Sequence, residues 1–228
     1  MAYKLEDKPA YRWYVSGARK QLQSLSDWKD YSMKVLYRPF DERWIYYHSS
    51  VVFWPRPEVM KNMLHPNLAL LTCRQLSGEG FQHVLVSDSL VDDSTVSNRT
   101  RERTYTFPLY LYNDGGGQRD IFQTSVKAGE KEPNINPEVF EKLKSAFGKK
   151  PAPEEIFYYI YAVFYSNTYR EKYKEFLKSD FPRVPFTKDY KLFSQLAVLG
   201  KQLIDLHLLK AKELERPIAR FEGVGDQK

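Results

Sequence analysis

The sequence has almost no cysteine, no long apolar run and no signal-peptide pattern. Its single cysteine, Cys73, excludes a disulfide within the chain and a cysteine-based zinc site. The apolar stretch around it, LALLTCRQ, predicts a small core residue. No apolar run is long enough to cross a bilayer, and the N-terminus lacks the apolar segment of a secretory signal. We therefore expect a cytoplasmic protein with no membrane partner.

The sequence also lacks the common catalytic motifs. NDGGGQRD at 113–120 has glycines but neither a phosphate-loop nor a dinucleotide-binding pattern, so it predicts a flexible connection. The four histidines are scattered without metal-ligand spacing. Asp88, Asp92 and Asp93 lack the glycine and the final glutamate of a calcium loop and indicate solvated turn carboxylates. No nucleophile has a nearby base, so we expect a chain without catalysis, metal or cofactor.

The order of the predicted elements indicates an α+β fold. A strand-rich first half, mostly antiparallel sheet, precedes a helix-rich C-terminal half, and strands and helices run in blocks rather than alternating. The 228 residues suffice for a sizeable core. The predicted strands cover 33–40, 44–54, 67–75, 81–91 and 104–112, and the predicted helices cover 55–64, 136–148, 152–181 (one helix or two) and 189–215.

Two helical patterns make predictions about the core. The apolar first half of 152–181 predicts deep burial. The last helix has leucines at alternating spacings of four and three, which predict a packing stripe. These are Leu192, Leu196, Leu199, Leu203 and Leu206.

The arginines are concentrated in the first half of the chain. Nine of the 14 arginines lie within residues 1–103, whereas 15 of the 21 lysines follow residue 103. The planar guanidinium fork matches a phosphate or a guanine edge, whereas lysine is a hydrated point charge. A contact surface in the first half would explain this split, and drift in composition explains it equally well. The net charge of +6 permits a polyanionic partner without requiring one.

Arg, Asn and Gln side chains, which can make bidentate hydrogen bonds, also gather where loops leave the predicted strands. For any single arginine, an ion pair with an adjacent carboxylate is the better explanation. Such carboxylates are Asp41, Glu42, Glu58 and Glu102. For the set as a whole, nucleic-acid binding accounts better for the pattern.

Several long stretches resemble a known family in sequence and order. YRPFDERWIYY, PRPEVMKNML, NLALLTCRQ, FQHVLVSDSLVDDS, TYTFPLYLY and EEIFYYIYAVFYSNTYREKYKEFLKSDFPRVPF are similar to the C-terminal specificity domain of type ISP restriction–modification enzymes. Those enzymes join nuclease, helicase, adenine methyltransferase and target-recognition parts in one chain. The resemblance implies a join to a methyltransferase domain at 1–33, a target-recognition domain at 34–215 and a flexible tail at 216–228.

The resemblance implies a module that reads double-stranded DNA for methylation and restriction by other domains. The Asn-Pro-Pro-Tyr motif of the methyltransferase, the helicase phosphate loop and the nuclease carboxylates are missing here. S-adenosylmethionine, ATP and Mg²⁺ are therefore implied for the parent enzyme and not for this fragment. The implied partners are duplex DNA and the methyltransferase domain of the same parent chain. The target adenine would be flipped into a pocket of that other domain.

The resemblance also divides the candidate site residues. Family members read different sites, so residues of the shared motifs are better candidates for phosphate contact or scaffold. These are Lys34, Arg38, Arg43, Arg56 and Arg74. Base reading is expected in the less family-like loops, around 48–57, 77–82, 94–103 and 113–132. The base-reading candidates are Gln75, Asn98, Arg99, Arg101 and Arg103.

Two alternatives remain open. One is a protein-interaction or structural domain that docks the methyltransferase and helicase parts, with its many aromatic residues at a protein interface. The other is a remote, inactive relative of a nucleotide-processing enzyme, for which stabilisation by S-adenosylmethionine or ATP would be the sign.

Overall fold

Strands occupy the first half of the chain and helices the second, which confirms the predicted α+β class. The computed structural model describes residues 6–9, 13–52, 54–78, 80–99, 101–113, 130–216, 218–219 and 222–223. Most of the Gly-rich connection predicted at 113–120 lies outside these residues, as does much of the predicted tail.

The strands form three small sheets within the described residues. The strand orders are β2-β1-β5, β4-β3-β6 and β7-β8, and every pairing except the one between β1 and β5 is antiparallel. The strands are β1 (Ser32–Arg38), β2 (Asp41–Tyr46), β3 (Ala69–Thr72), β4 (Val84–Ser87), β5 (Leu90–Val91), β6 (Tyr105–Pro108), β7 (Tyr110–Tyr112) and β8 (Lys131–Pro133).

Two predicted strands each divide between two sheets. The stretch 81–91 becomes β4 and β5, and the chain turns between them where Ser87 Oγ accepts a hydrogen bond from Ser89 N at 3.1 Å. The stretch 104–112 becomes β6 and β7. Pro108 ends β6 at the edge of its sheet, as expected for a residue without an N–H.

The strand predicted at 44–54 is too long. β2 ends at Tyr46, and His48 O then accepts hydrogen bonds from Val51 N and Val52 N, both at 2.9 Å. A tight turn therefore replaces the end of the strand. The polar serines between the histidine and the valines favour this turn over continued sheet pairing.

Helices surround the larger core, which covers one face of β4. Seven α-helices lie within the described residues, with short 3₁₀ turns at Trp28–Tyr31, Lys61–Leu64 and Lys212–Glu215. The helices are α1 (Val15–Gln23), α2 (Pro57–Met60), α3 (Pro137–Phe147), α4 (Pro153–Tyr165), α5 (Asn167–Lys172), α6 (Lys174–Ser179) and α7 (Tyr190–His207).

Local signals set the helix ends. Asn136 Oδ1 accepts from Glu138 N at 2.9 Å, and Gly148 ends α3 with a φ of 72°, which confirms the predicted helix. Asp189 Oδ1 likewise accepts from Lys191 N at 2.8 Å at the start of α7. The stretch 152–181, predicted as one helix or two, is interrupted at Ser166, whose Oγ accepts from Tyr169 N at 3.3 Å.

The predicted burial of the first half of that helix is confirmed. Seven residues of α4 are buried, and the ring of Phe193 on α7 stacks on that of Tyr159 on α4 with centroids 4.9 Å apart. The buried residues of α4 are Ile156, Phe157, Tyr159, Tyr161, Ala162, Val163 and Phe164.

The predicted leucine stripe on α7 is wrong in its position. Leu192 and Leu199 are 44% and 53% exposed, and Leu206 is 37% exposed. The face that meets α4 is instead Phe193, Ala197, Gly200 and Ile204. Gly200 decides this rotation of the helix, because it lets the two helix backbones approach closely. Only Leu196 and Leu203 of the predicted stripe pack partly against the core.

A second, smaller core lies between the first two sheets. Leu36 and Leu90 from one sheet meet Leu71 from the other, and Met60 and Met63 fill the space beside them. Cys73 directly after β3 is buried, as predicted. Burial raises the pKa of its thiol to about 12, so this cysteine stays a neutral core residue.

The register of the second sheet brings two loops together. Thr72, at the end of β3, pairs with both Val84 and Tyr105, which begin the two neighbouring strands. The segment after β3 and the segment before β6 must therefore meet at the same end of this sheet. These two segments contain all five predicted base-reading residues.

Candidate functional site

Arg38 and Arg43 are held against one tyrosine at the first hairpin. Each guanidinium carbon lies 4.0 Å from the centroid of the Tyr37 ring. Arg43 also donates to both oxygens of Asp41 at 2.8–3.1 Å, and Arg38 donates to Asp92 Oδ1 at 3.0 Å. These contacts hold both guanidinium groups in place.

Lys34 lies on the same hairpin and is exposed. Its Nζ donates to Glu42 Oε2 at 2.9 Å across the β1–β2 pair. Pairs of this kind on the surface contribute about 0–1 kcal/mol, so the ammonium can exchange its partner at little cost.

Asp93 joins two of the predicted arginines. Arg56 donates to Asp93 Oδ1 at 2.5 Å and to Thr104 O at 3.2 Å, and Arg103 lies 3.4 Å from Asp93 Oδ2. The Arg103 guanidinium also lies over the Trp54 ring, 5.5 Å from its centroid. Asp92 and Asp93, which the sequence indicated as solvated turn carboxylates, are therefore structural partners of arginine.

Arg56 has an unusual backbone conformation. Its φ of 48° lies in the left-handed region at the start of α2. A non-glycine residue there is strained by about 1–2 kcal/mol. The contacts with Asp93 and Thr104 offset this strain, which indicates a scaffold role for Arg56.

Arg74 braces the segment after β3 against the helical half. Its Nε donates to Asp180 Oδ1 at 3.1 Å, and its guanidinium lies 5.9 Å from the centroid of the Phe181 ring. Two residues on, Leu76 N donates to Lys178 O at 3.0 Å.

The other side of this segment is fastened by a buried carboxylate, Glu102. Its side chain is only 2% exposed. Oε1 accepts from Ser77 N and Ser77 Oγ at 2.7 and 2.6 Å, and Oε2 accepts from Ser97 Oγ at 2.5 Å. His83 Nε2 lies 3.2 Å from Oε2, and Arg99 Nη1 lies 3.8 Å from Oε1.

The surroundings of Glu102 keep it ionised. Burial by itself would raise the pKa of this carboxyl. The hydrogen bonds from Ser77 and Ser97, together with the nearby His83, outweigh that effect and lower the pKa to about 2. The carboxylate is therefore negative at every pH at which the protein is expected to work.

The structure brings the five predicted base-reading residues onto adjacent loops. The side chains of all five are exposed. In the part of the chain that the structure describes, no ion pair involves Arg101. The five are Gln75 on the first loop and Asn98, Arg99, Arg101 and Arg103 on the second.

Most of the predicted cations have acidic partners. Seven of the eight lie within 4.0 Å of a carboxylate oxygen, the exception among the described residues being Arg101. The ion-pair explanation offered for single arginines therefore describes real contacts. These ion pairs do not prevent an anion from binding at the surface, because exposed pairs are weak and leave much of each guanidinium in water.

Sequence reasoning missed Glu102 as a structural centre. Glu102 was noted only as a neighbouring acid for the arginines. The available signal was its isolation: it is the one acid in the run NRTRERT, among three arginines. Ser77 and His83 gave no signal, since their relation to Glu102 depends on the sheet register.

The described residues contain neither a metal-binding cluster nor a membrane-spanning helix. Among them, no group of three or more His, Cys, Asp or Glu side chains is arranged to hold a metal ion. No helix in the described ranges has the length and apolar character needed to cross a membrane.

Comparison with known proteins gives a consistent result. The family model of the Type ISP C-terminal specificity domain matches residues 2–228. A search of curated protein sequences gave no significant match.

Solved structures with the same fold include three protein–DNA complexes. The DrdV–DNA complex matches with a TM-score of 0.63 and 26% identity over 84% of this chain and 17% of that one. The ATP-dependent Type ISP restriction–modification enzyme LlaBIII bound to DNA matches with a TM-score of 0.60 and 27% identity over 86% of this chain and 12% of that one.

The third structure supports the fold alone. A nuclease-deletion mutant of the Type ISP enzyme LlaGI, in complex with a DNA substrate mimic, has a TM-score of 0.54 and 23% identity over 78% of this chain and 14% of that one. The chain thus corresponds to less than a fifth of the length of each of these proteins.

Proposed function

Since the chain belongs to the family of Type ISP C-terminal specificity domains, we propose that it recognises a specific sequence in double-stranded DNA for a restriction–modification enzyme. Related enzymes have been solved bound to DNA. The observation in this chain that carries the proposal is that two loops meet at the same end of the second sheet. Those loops display exposed side chains able to make forked contacts with base edges.

We assign the remaining cations to two roles. Arg38 and Arg56 are about one-third exposed and hold the Asp92–Asp93 segment, so they serve the scaffold. Lys34, Arg43 and Arg74 are each more than half exposed and are the better candidates for phosphate contact. Contacts to phosphate would set the register of the duplex without reading its sequence.

The chemistry of the enzyme would lie in other parts of a longer chain. We propose that this domain is not itself an enzyme and that it positions DNA for an adenine methyltransferase domain of the same parent. S-adenosylmethionine, ATP and Mg²⁺ would bind to those other parts. Thermal-shift measurements of this chain with S-adenosylmethionine and with ATP should give no stabilisation, and a clear rise in Tm would favour a nucleotide-binding role instead.

Selection from a pool of randomised DNA duplexes tests the function directly. The wild-type chain should enrich one sequence pattern. The triple variant Asn98→Ala, Arg99→Ala and Arg101→Ala should lose it, since each base contact contributes about 1–3 kcal/mol of discrimination. Sequencing of the bound duplexes and titration of an enriched duplex measure both effects.

A charge-matched variant controls for simple electrostatics. Lys144→Ala with Lys191→Ala also removes two positive charges, from exposed positions in the helical half. This double variant should keep the enriched pattern. If the triple variant keeps both its affinity and its preference, the base-reading assignment is wrong.

The exposed apolar face of α7 supports a second candidate function, a docking domain between the methyltransferase and helicase parts. Val198 and Leu199 are 56% and 53% exposed there. Salt separates the two functions. DNA affinity falls linearly on a logarithmic salt scale, with a slope of about −0.9 per phosphate contact, whereas an apolar protein interface shows little such dependence.

A further inference from the structure

The two oxygens of the Glu102 carboxylate hold different loops. Oε1 accepts both hydrogen bonds from Ser77, on the segment after β3, whereas Oε2 accepts from Ser97, on the segment before β6. The carboxylate therefore bridges the two loops that display the base-reading candidates. It is itself too deeply buried to touch DNA.

The main chain of Glu102 is fixed as well. Cys73 Sγ donates to Glu102 O at 2.9 Å, which ties the residue to the end of β3, and Glu102 N donates to Arg99 O at 2.9 Å. Glu102 is thus tied both to its own loop and to the end of β3. A displacement of one loop would have to break its hydrogen bonds to the carboxylate.

The carboxylate also orients one of the exposed arginines. Arg99 Nη1 lies 3.8 Å from Glu102 Oε1 and donates to Ser77 Oγ at 3.4 Å. A methyl group added at Gly78 would lie 2.8 Å from the same Nη1, so this guanidinium crosses directly over the first loop. The position of the Arg99 fork therefore depends on both loops being held together.

We propose that Glu102 is the positioning residue of the reading surface and that sequence preference depends on it although it makes no contact with DNA. This inference rests on the proposed function. An arginine guanidinium loses less conformational entropy on binding DNA when its loop is already ordered. Loss of the hydrogen bonds that hold the two loops together should therefore weaken discrimination between DNA sequences. Affinity for duplex of any sequence rests on phosphate contacts and should change little.

Glu102→Gln is the main test, because it keeps the side-chain shape while replacing one acceptor oxygen by a donor. The preference for an enriched duplex over a scrambled duplex of equal length should fall by about tenfold or more. Affinity for the scrambled duplex should change by less than about twofold. A residue that served stability alone would not change this ratio in the folded protein.

A second measurement follows the loops without DNA. Hydrogen–deuterium exchange should become faster in both loops of Glu102→Gln, over 74–78 and 96–103, and stay unchanged in β4. Ser97→Ala, which removes a single hydrogen bond, should show a smaller effect of the same kind. This variant keeps the test conclusive if Glu102→Gln does not fold. Glu141→Gln, at an exposed position on α3, is the charge-matched control and should behave as wild type.

The outcomes separate the inference from the function. If wild-type protein prefers one duplex and both Glu102→Gln and Ser97→Ala keep that preference within about twofold, the positioning role is overturned. If wild-type protein prefers no duplex, the proposed function fails. The exchange measurement then decides alone: faster exchange in both loops supports the role of Glu102, and unchanged exchange overturns it.

Discussion

The helical half and the two loops joined by Glu102 are held in place by opposite means. α4 and α7 meet through apolar and aromatic side chains, and the backbones come close enough that a Cβ at Gly200 would lie 1.9 Å from Tyr158 O. The loops are instead joined by a buried charge and its hydrogen bonds. The first region should therefore be sensitive to side-chain volume, and the second to charge and hydrogen bonding.

The largest expected effect concerns volume in the helical half. Gly200→Ala should lower the free energy of unfolding by more than about 3 kcal/mol, because the helices must separate to admit the methyl group. Urea unfolding followed by circular dichroism measures the change.

Gly17 supplies the matched control for this substitution. It lies in α1, and an added Cβ there would meet nothing within 4 Å. Gly17→Ala should leave stability unchanged or raise it by up to about 1 kcal/mol through helix propensity. Equal effects at the two glycines would remove the distinction between close packing and simple propensity.

The next effect concerns charge at the loops. The pKa of Glu102 is lowered from 4.5 to about 2, so its ionised form stabilises the fold above pH 4.5, and that contribution is lost as the pH falls toward 2. The difference corresponds to about 3 kcal/mol at most. Glu102→Gln should thus be less stable at pH 7, and its stability should fall less than that of wild type between pH 5 and pH 3.

The groups that face Glu102 need their own control. Among the described residues, His83 and Arg99 are the charged or titratable side chains within 4.0 Å of the carboxylate, and the Cys73 thiol contacts its main chain. Urea unfolding of His83→Gln over the same pH range separates the imidazole from the carboxylate. If wild type and Glu102→Gln lose stability in parallel on acidification, the carboxylate does not hold the loops as described.

The smallest effect is expected on the outer face of α7. Leu199→Ala should change the free energy of unfolding by less than about 0.5 kcal/mol, because the side chain is 53% exposed. Ile204→Ala, on the buried face of the same helix, should cost about 2–5 kcal/mol. A large cost at Leu199 in thermal unfolding would show that this face is covered, as a packing stripe would be.

The leucine stripe shows where reading a sequence for helix faces fails. Two interleaved apolar faces exist on α7, and leucine spacing alone favoured the outer one. The helix turns its other face inward because Gly200 permits close contact with the backbone of Tyr158, a residue of α4. By contrast, the cap at Asn136 and the stop at Gly148 act within one helix, so the bounds of α3 followed from the sequence.

The candidate site divides in the same way. The residue types at Asn98, Arg99 and Arg101 indicated a nucleic-acid partner from the sequence alone, because paired hydrogen-bonding groups are a property of these side chains. The partners of Arg38 and Arg56 could not be predicted, because their carboxylates are 54 and 37 residues away in the chain. The same is true of Ser77, 25 residues from Glu102.

The sequence by itself thus determined the α+β class, the buried character of α4 and the caps of α3, since each depends on neighbouring residues or on composition. Only the tertiary structure decided which face of α7 is buried, which carboxylates Arg38, Arg56 and Arg74 meet and which two loops lie side by side. Those outcomes depend on sheet register and helix contact. Both are set by residues far apart in the chain that come together only when the whole core packs.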